Sequence, residues 1–185
     1  FGTTRGNYSI GTPRAGTNAW VNGAENAPSL GFWGYVLLPN NKVLMIPYYH
    51  TSKTCIFNPE TNGFEDTVSA PPSGVFAGGV LMGNGKVILA PNNYTGNTLL
   101  YNSATNDYEN TATAFTGSAA GCVLLPSGKV FMIPSNNTSK KLLYNPDTND
   151  WEDVGSSISG RFMGGCLLPN GKVFMSPNGY TGSTM

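Results

Sequence analysis

Hydrophobic residues in this chain fall in short unbroken runs, set between turn-forming polar residues and repeated at a fixed spacing. The runs Val43-Leu44-Met45-Ile46, Val87-Ile88-Leu89-Ala90, Val130-Phe131-Met132-Ile133 and Val173-Phe174-Met175-Ser176 lead into Pro47, Pro91, Pro134 and Pro177. Apolar runs of this length without alternation predict strands covered on both faces. The proline, which cannot donate to a ladder, marks where each strand stops. Ahead of each run lies one signature: Leu37-Leu38-Pro39-Asn40-Asn41-Lys42-Val43, then Leu81-Met82-Gly83-Asn84-Gly85-Lys86-Val87. It returns as Leu124-Leu125-Pro126-Ser127-Gly128-Lys129-Val130 and as Leu167-Leu168-Pro169-Asn170-Gly171-Lys172-Val173. Its Asn-Gly or Ser-Gly pair supplies the positive φ angles of a tight hairpin. From Lys42 to Lys86, Lys129 and Lys172 the steps are 44, 43 and 43 residues.

A period in this range is that of propeller blades, and each copy reads as four short strands. Strand a is opened by glycine, as in Gly78-Gly79-Val80-Leu81-Met82 and Gly164-Gly165-Cys166-Leu167-Leu168, and strand b is the run before the proline. Strand c follows at Cys55-Ile56-Phe57, Leu99-Leu100-Tyr101 and Leu142-Leu143-Tyr144. Turns such as Asn58-Pro59-Glu60-Thr61-Asn62 lead to strand d, headed by Phe64, Tyr108 or Trp151. No helix-period pattern is present. The predicted fold is all-β, a β-propeller of about four four-stranded blades, closed by itself or part of a larger propeller. Residues 1–29 form an N-terminal segment with a partial blade, an outer strand. Residues 30–185 hold the repeats, at about 30–72, 73–116, 117–159 and, incomplete, 160–185.

The stretch Tyr144-Asn145-Pro146-Asp147-Thr148-Asn149-Asp150-Trp151 resembles the second half of a kelch repeat, where a Tyr-rich strand passes through an Asp/Asn turn to Trp. Galactose-oxidase-like propellers use a similar blade, and the resemblance covers roughly residues 30 to 185. Kelch repeats place a glycine pair after their second strand; this chain has Ile-Pro or Ala-Pro there and carries its glycine pairs in strand a. Blade-like repeats of phage and surface proteins are a second resemblance. Thr17-Asn18-Ala19-Trp20 matches Thr148-Asn149-Asp150-Trp151, so an N-terminal strand completing the fourth blade is one way to close a four-bladed ring. Four blades of a larger ring, or an oligomeric stack of the same units, are the others.

Charge narrows the function. Only 11% of residues are charged, with ten Lys plus Arg against ten Asp plus Glu, where soluble domains carry about 25%. No basic stripe is available to displace counterions from a nucleic acid. No apolar run is long enough to cross a bilayer as a helix. The odd set Cys55, Cys122 and Cys166 reads as small core residues rather than a disulfide framework. Nine of the ten acids (Glu60, Glu65, Asp66, Asp107, Glu109, Asp147, Asp150, Glu152 and Asp153) fall in the c–d turns or on strand d. Four lysines sit in the a–b turns of the same face, an arrangement expected to serve solubility and weak surface pairing.

The b–c loops of the opposite face are nearly uncharged and mix rings with amides and hydroxyls. They contain Tyr48, Tyr49 and His50 in the first copy, Asn93 and Tyr94 in the second, Asn136 and Asn137 in the third, Asn178 and Tyr180 in the fourth. Tyr94 and Tyr180 fall eight residues after Lys86 and Lys172, the place His50 and Asn137 take in the other copies. This ring of residues is the candidate contact set, suited to stacking on sugar rings or docking on a protein.

Catalysis is not expected. The single histidine, His50, cannot build a copper centre, the three arginines are scattered, and the acids map to the outer strand. No Ser/His/Asp set, internal carboxylate pair or metal-spaced His/Cys cluster can be assembled, so neither cofactor nor metal is implied. The expected role is a non-catalytic structural or adhesive module of a larger extracellular or virion assembly, such as a phage tail or capsid appendage. Its partners would be other protein subunits. The alternative is a secreted lectin-like propeller that binds surface glycans with its neutral face; a fragment of a propeller enzyme ranks third.

Overall fold

The computed structural model describes residues 28–49, 51–94, 96–135, 142–155 and 160–179. They form fourteen strands and no helix. The first sheet contains β1 (Phe32–Leu37), β2 (Val43–Pro47), β3 (Thr54–Asn58) and β4 (Gly63–Asp66). The second contains β5 (Phe76–Leu81), β6 (Lys86–Pro91), β7 (Asn97–Asn102) and β8 (Asp107–Ala114). The third contains β9 (Ala119–Leu124), β10 (Val130–Pro134), β11 (Leu143–Asn145) and β12 (Asp150–Glu152). A hairpin of β13 (Phe162–Leu167) and β14 (Val173–Pro177) follows. Within each sheet the order is the order of the sequence, and every pairing is antiparallel.

The four sheets are blades standing side by side. Their first strands adjoin in series, β1 against β5, β5 against β9 and β9 against β13. This stacking explains why the strand b runs do not alternate. Val87 and Leu89 of β6 join the core shared with Leu44 and Ile46 of the first blade. Ile88 and Ala90, on the other face of the same strand, join the core shared with Phe131, Met132 and Ile133 of the third. A strand between two neighbours is apolar at every position because both of its faces are interior.

The hairpin turns follow the predicted chemistry. Gly85, Gly128 and Gly171 have φ of 79°, 81° and 80°, and Asn41 takes the same place in the first blade with φ 62°. Asparagine is the non-glycine residue that best tolerates this region. The c–d turns use it too: Asn106 and Asn149, both with φ 55°, accept hydrogen bonds from the Tyr101 hydroxyl (2.7 Å) and the Tyr144 hydroxyl (2.8 Å). The outer strands are then sewn to their neighbours. Val68 N–H donates to the Asn106 carbonyl and Ala112 N–H to that of Asn149, each at 2.9 Å.

The charged face is more ordered than expected from surface pairing. In each of the first three blades a lysine opening strand b, an asparagine ending strand c and a glutamate on strand d converge. Lys42 lies 2.5 Å from Glu65 and Asn58 Nδ2 lies 2.6 Å from the other carboxylate oxygen. Lys86–Glu109–Asn102 and Lys129–Glu152–Asn145 repeat the arrangement. These side chains clamp strands b, c and d together from above.

The ends of the series differ from its middle. No comparable packing joins β13 to β1 among the described residues. Tyr35 and Leu37 on the free face of the first blade are 80% and 61% exposed, and Phe174 on the free face of the fourth is 43% exposed. The described residues therefore form an open series of blades rather than a closed four-bladed ring. Thr17–Trp20, the stretch proposed to complete the fourth blade, lies outside them.

Candidate functional site

In every blade, strand a is irregular at the same place. The register between strands a and b slips between Phe32 and Gly34, between Phe76 and Gly79, at Ile133/Pro134 opposite Ala119–Gly121, and between Phe162 and Gly164. A β-bulge leaves a residue outside the ladder and redirects it. The residues so released are Trp33, Ala77, Ala120 and Met163, one per blade, and all four line a single cleft of about 440 Å³. The cleft opens on the b–c loop face, where the four first strands come together.

The loops after the strand b prolines complete the wall. Asn92, Ser135 and Asn178 each hold their place by donating a backbone N–H to the start of strand a, at Val75, Ser118 and Arg161, over 2.7, 2.9 and 2.7 Å. Tyr48 makes the same bond to Gly31 at 3.0 Å. The Asn92 amide reaches the third blade and donates to the Ala119 carbonyl (3.0 Å), while Asn178 Nδ2 lies 3.2 Å from the Met163 sulfur. Asn93 and Ser118 also line the cleft, together with Arg161, the one charged group among its described lining residues.

One side of the rim is aromatic. Trp33 and Tyr48 stack with centroids 4.1 Å apart and planes inclined by 22°, and Tyr49 meets Tyr48 edge-on at 4.7 Å. Trp33 is 51% exposed and Tyr49 64%. Tyr49 also has φ 55°, the left-handed region, which a bulky residue seldom occupies. Asn93 (φ 58°) and Gly179 (φ 68°) hold the same turn in their blades. In the first copy a ring stands where a glycine or asparagine would suffice, and the turn lifts it into solvent.

Of the residues singled out from sequence, the structure brings Asn93 and Asn178 to the cleft and Tyr48 and Tyr49 to its rim. Tyr94 is elsewhere. Its ring packs on Phe76 with centroids 5.1 Å apart and borders a second, smaller hollow. It occupies space kept free by Gly74 and Gly96, where any Cβ would overlap it. His50, Asn136, Asn137 and Tyr180 lie outside the described residues. Sequence reading missed Trp33 and Arg161. Aligning the copies would have exposed both, since Trp33 replaces Ala, Ala and Met, and Arg161 replaces Gly31, Val75 and Ser118.

Among the described residues that line the cleft there is no carboxylate and no histidine. The clamp carboxylates sit on strand d, and the lysine hydrogen bond, followed by that of asparagine, holds Glu65, Glu109 and Glu152 below the usual carboxylate value. Among the described residues no three His, Cys, Asp or Glu gather as a metal would need. None of their helices is long and apolar enough to cross a membrane, since they form none.

No family model matches the sequence, and no curated protein matches it either. Solved structures do match in fold. An auxiliary nutrient binding protein from Bacteroides ovatus superposes with a TM-score of 0.60 at 14% identity, over 80% of this chain and 36% of that one. Hydrazine synthase from Kuenenia stuttgartiensis gives 0.61 at 10% identity, over 84% and 46%. YCF48, solved bound to D1 peptide, gives 0.58 at 16% identity, over 89% and 52%. The chain thus spans about half the length of these neighbours or less. At such identities the likeness is one of fold, and with the radial series of four-stranded sheets it makes this chain a set of β-propeller blades.

Proposed function

We propose that this chain is a non-catalytic binding module of a larger extracellular or virion assembly, and that it captures a partner protein at the axial cleft. The observation that carries the reading is the rim of Trp33, Tyr48 and Tyr49 beside a cleft walled by amides and hydroxyls. Half-exposed aromatic rings joined to fixed hydrogen-bonding groups are the usual anchors of protein recognition. Arg161 adds one positive charge, so an acidic group on the bound segment finds a partner there. YCF48 was solved with a peptide and the B. ovatus protein is named for nutrient binding, so blades of this kind serve as binding platforms elsewhere.

Trp33 also favours a second reading, as a glycan binder. A wide apolar ring face beside Asn93 and Asn178 suits a pyranose, whose axial C–H groups stack while its hydroxyls bond to amides.

One experiment separates the two. The purified chain and its Trp33→Ala/Tyr49→Ala variant are screened against a peptide library and an oligosaccharide array at 0.15 and 1 M salt. Peptide capture lost in the variant supports the first reading, and salt-insensitive glycan capture lost in the variant supports the second. Capture that the double variant retains removes both.

A further inference from the structure

The seams between blades show size compensation at one pair of positions. Ile46 of β2 opposes Gly79 of β5, its Cδ1 lying 3.3 Å from where a Cβ on that glycine would stand. Ile133 of β10 opposes Gly165 of β13 in the same way, at 3.1 Å. The equivalent positions at the middle seam are Ala90 and Cys122. A large residue on one blade therefore meets glycine on the next, and a small residue meets a larger one. One further pair of these positions exists, unjoined, at the ends of the series. The outgoing face of the fourth blade carries Ser176, and the incoming face of the first carries Tyr35. A small side chain again corresponds to a large one.

The surroundings match as well. Phe174 occupies the place of Leu44, Ile88 and Phe131, each of which is buried in a seam. Leu37, Val43 and Met45 occupy the places of Leu81, Val87 and Leu89, whose blade packs on the first. Neither end face carries a charged side chain at these positions. The described residues thus hold both halves of a fourth seam at opposite ends of the series, with Tyr35, Leu37 and Phe174 exposed.

We propose that the occupant of each end face is a second copy of this chain, the fourth blade of one copy packing on the first blade of the other. Both seams form at once in such a pair, which closes eight blades into one ring. Eight is within the usual range for propellers, and a head-to-tail contact gives a closed ring when its rotation closes. The inference deepens the assembly reading. Its measurement uses no ligand, so a failure here leaves capture at the cleft standing, and the reverse.

Native mass spectrometry and sedimentation of the 185-residue chain at micromolar concentration read the result. A species of twice the 19.6 kDa chain mass is expected. Leu37→Glu and Phe174→Glu should each weaken it at least tenfold. An equimolar mixture of the two variants should recover association, because one of its two seams is then wild type on both sides. With Cys166→Ser as background, Tyr35→Cys/Ser176→Cys should oxidise to a covalent dimer. A monomeric wild type, a disulfide closed within one chain, or polymers without a limiting size would each overturn the two-copy ring. So would a Phe174→Glu variant that dimerises normally.

Discussion

Trp33 and Tyr48 lie ring over ring, 4.1 Å apart, although one leaves a bulged inner strand and the other follows the proline that ends its partner strand. The two strand ends thus converge on one exposed aromatic pair. Trp33→Ala should weaken ligand capture at least tenfold, since aromatic anchors at interface centres typically account for 2 kcal/mol or more, about thirtyfold. With half its surface already in solvent, its removal should lower the denaturation midpoint little. A titration and a urea melt of the same variant check both halves.

Seam packing should be far more sensitive. Ile133 is fully buried between the third and fourth blades, and Ile133→Ala should cost about 2–5 kcal/mol. Gly79→Ala should cost about 1–3 kcal/mol, because its new methyl would stand 2.9 Å from the Ile88 carbonyl oxygen and 3.1 Å from a Val87 methyl. Urea unfolding followed by tryptophan fluorescence measures each.

The clamps predict an acid limb. Lysine first and asparagine second hold the Glu109 carboxyl below its ordinary 4.5. A carboxylate whose pKa is lowered by folding stabilises the fold above its unfolded value and loses that contribution as the pH drops through the folded one. Wild type should therefore melt above Glu109→Gln at pH 7, by no more than about 1 kcal/mol for so exposed a pair. The gap should begin to close below pH 4.5 and vanish at lower pH. A gap that persists unchanged at pH 2 would contradict the clamp.

The three thiols should separate by reactivity. Desolvation pushes the buried Cys55 up to about 11 and the partly buried Cys122 up to about 12, whereas Cys166 is exposed. At pH 8 a maleimide should label Cys166 within minutes in Leu37→Glu/Phe174→Glu, whose end faces stay apart, more slowly in the wild-type pair, and Cys55 only on unfolding, differences that peptide mapping resolves.

The blade was legible in the sequence because its determinants are local. Unbroken apolar runs marked strands with two interior faces, and Gly85, Gly128 and Gly171 marked the turns whose positive φ they adopt. The positions of the b–c loops followed from the same local signals. Trp33 escaped a strand-by-strand reading, because a bulge breaks the alternation from which side-chain direction is read; only the alignment of the copies sets it against Ala77, Ala120 and Met163. Tyr94 was assigned outward on loop position alone, while the space that takes its ring is made by Gly74, twenty residues earlier. The clamp had a readable signal: lysine, asparagine and glutamate recur together at 42/58/65, 86/102/109 and 129/145/152. Charge alone suggested weak surface pairing; only the register showed three groups converging.

Each sheet pairs its strands in the order in which the chain supplies them. Paired strands of one sheet are therefore always consecutive in the chain, and loop closure within a blade costs little entropy at any step. A chain emerging from the ribosome can finish one blade before the residues of the next exist. Each finished blade then offers its successor a template rather than a competitor, so synthesis from the N-terminus and assembly of the series run in one direction.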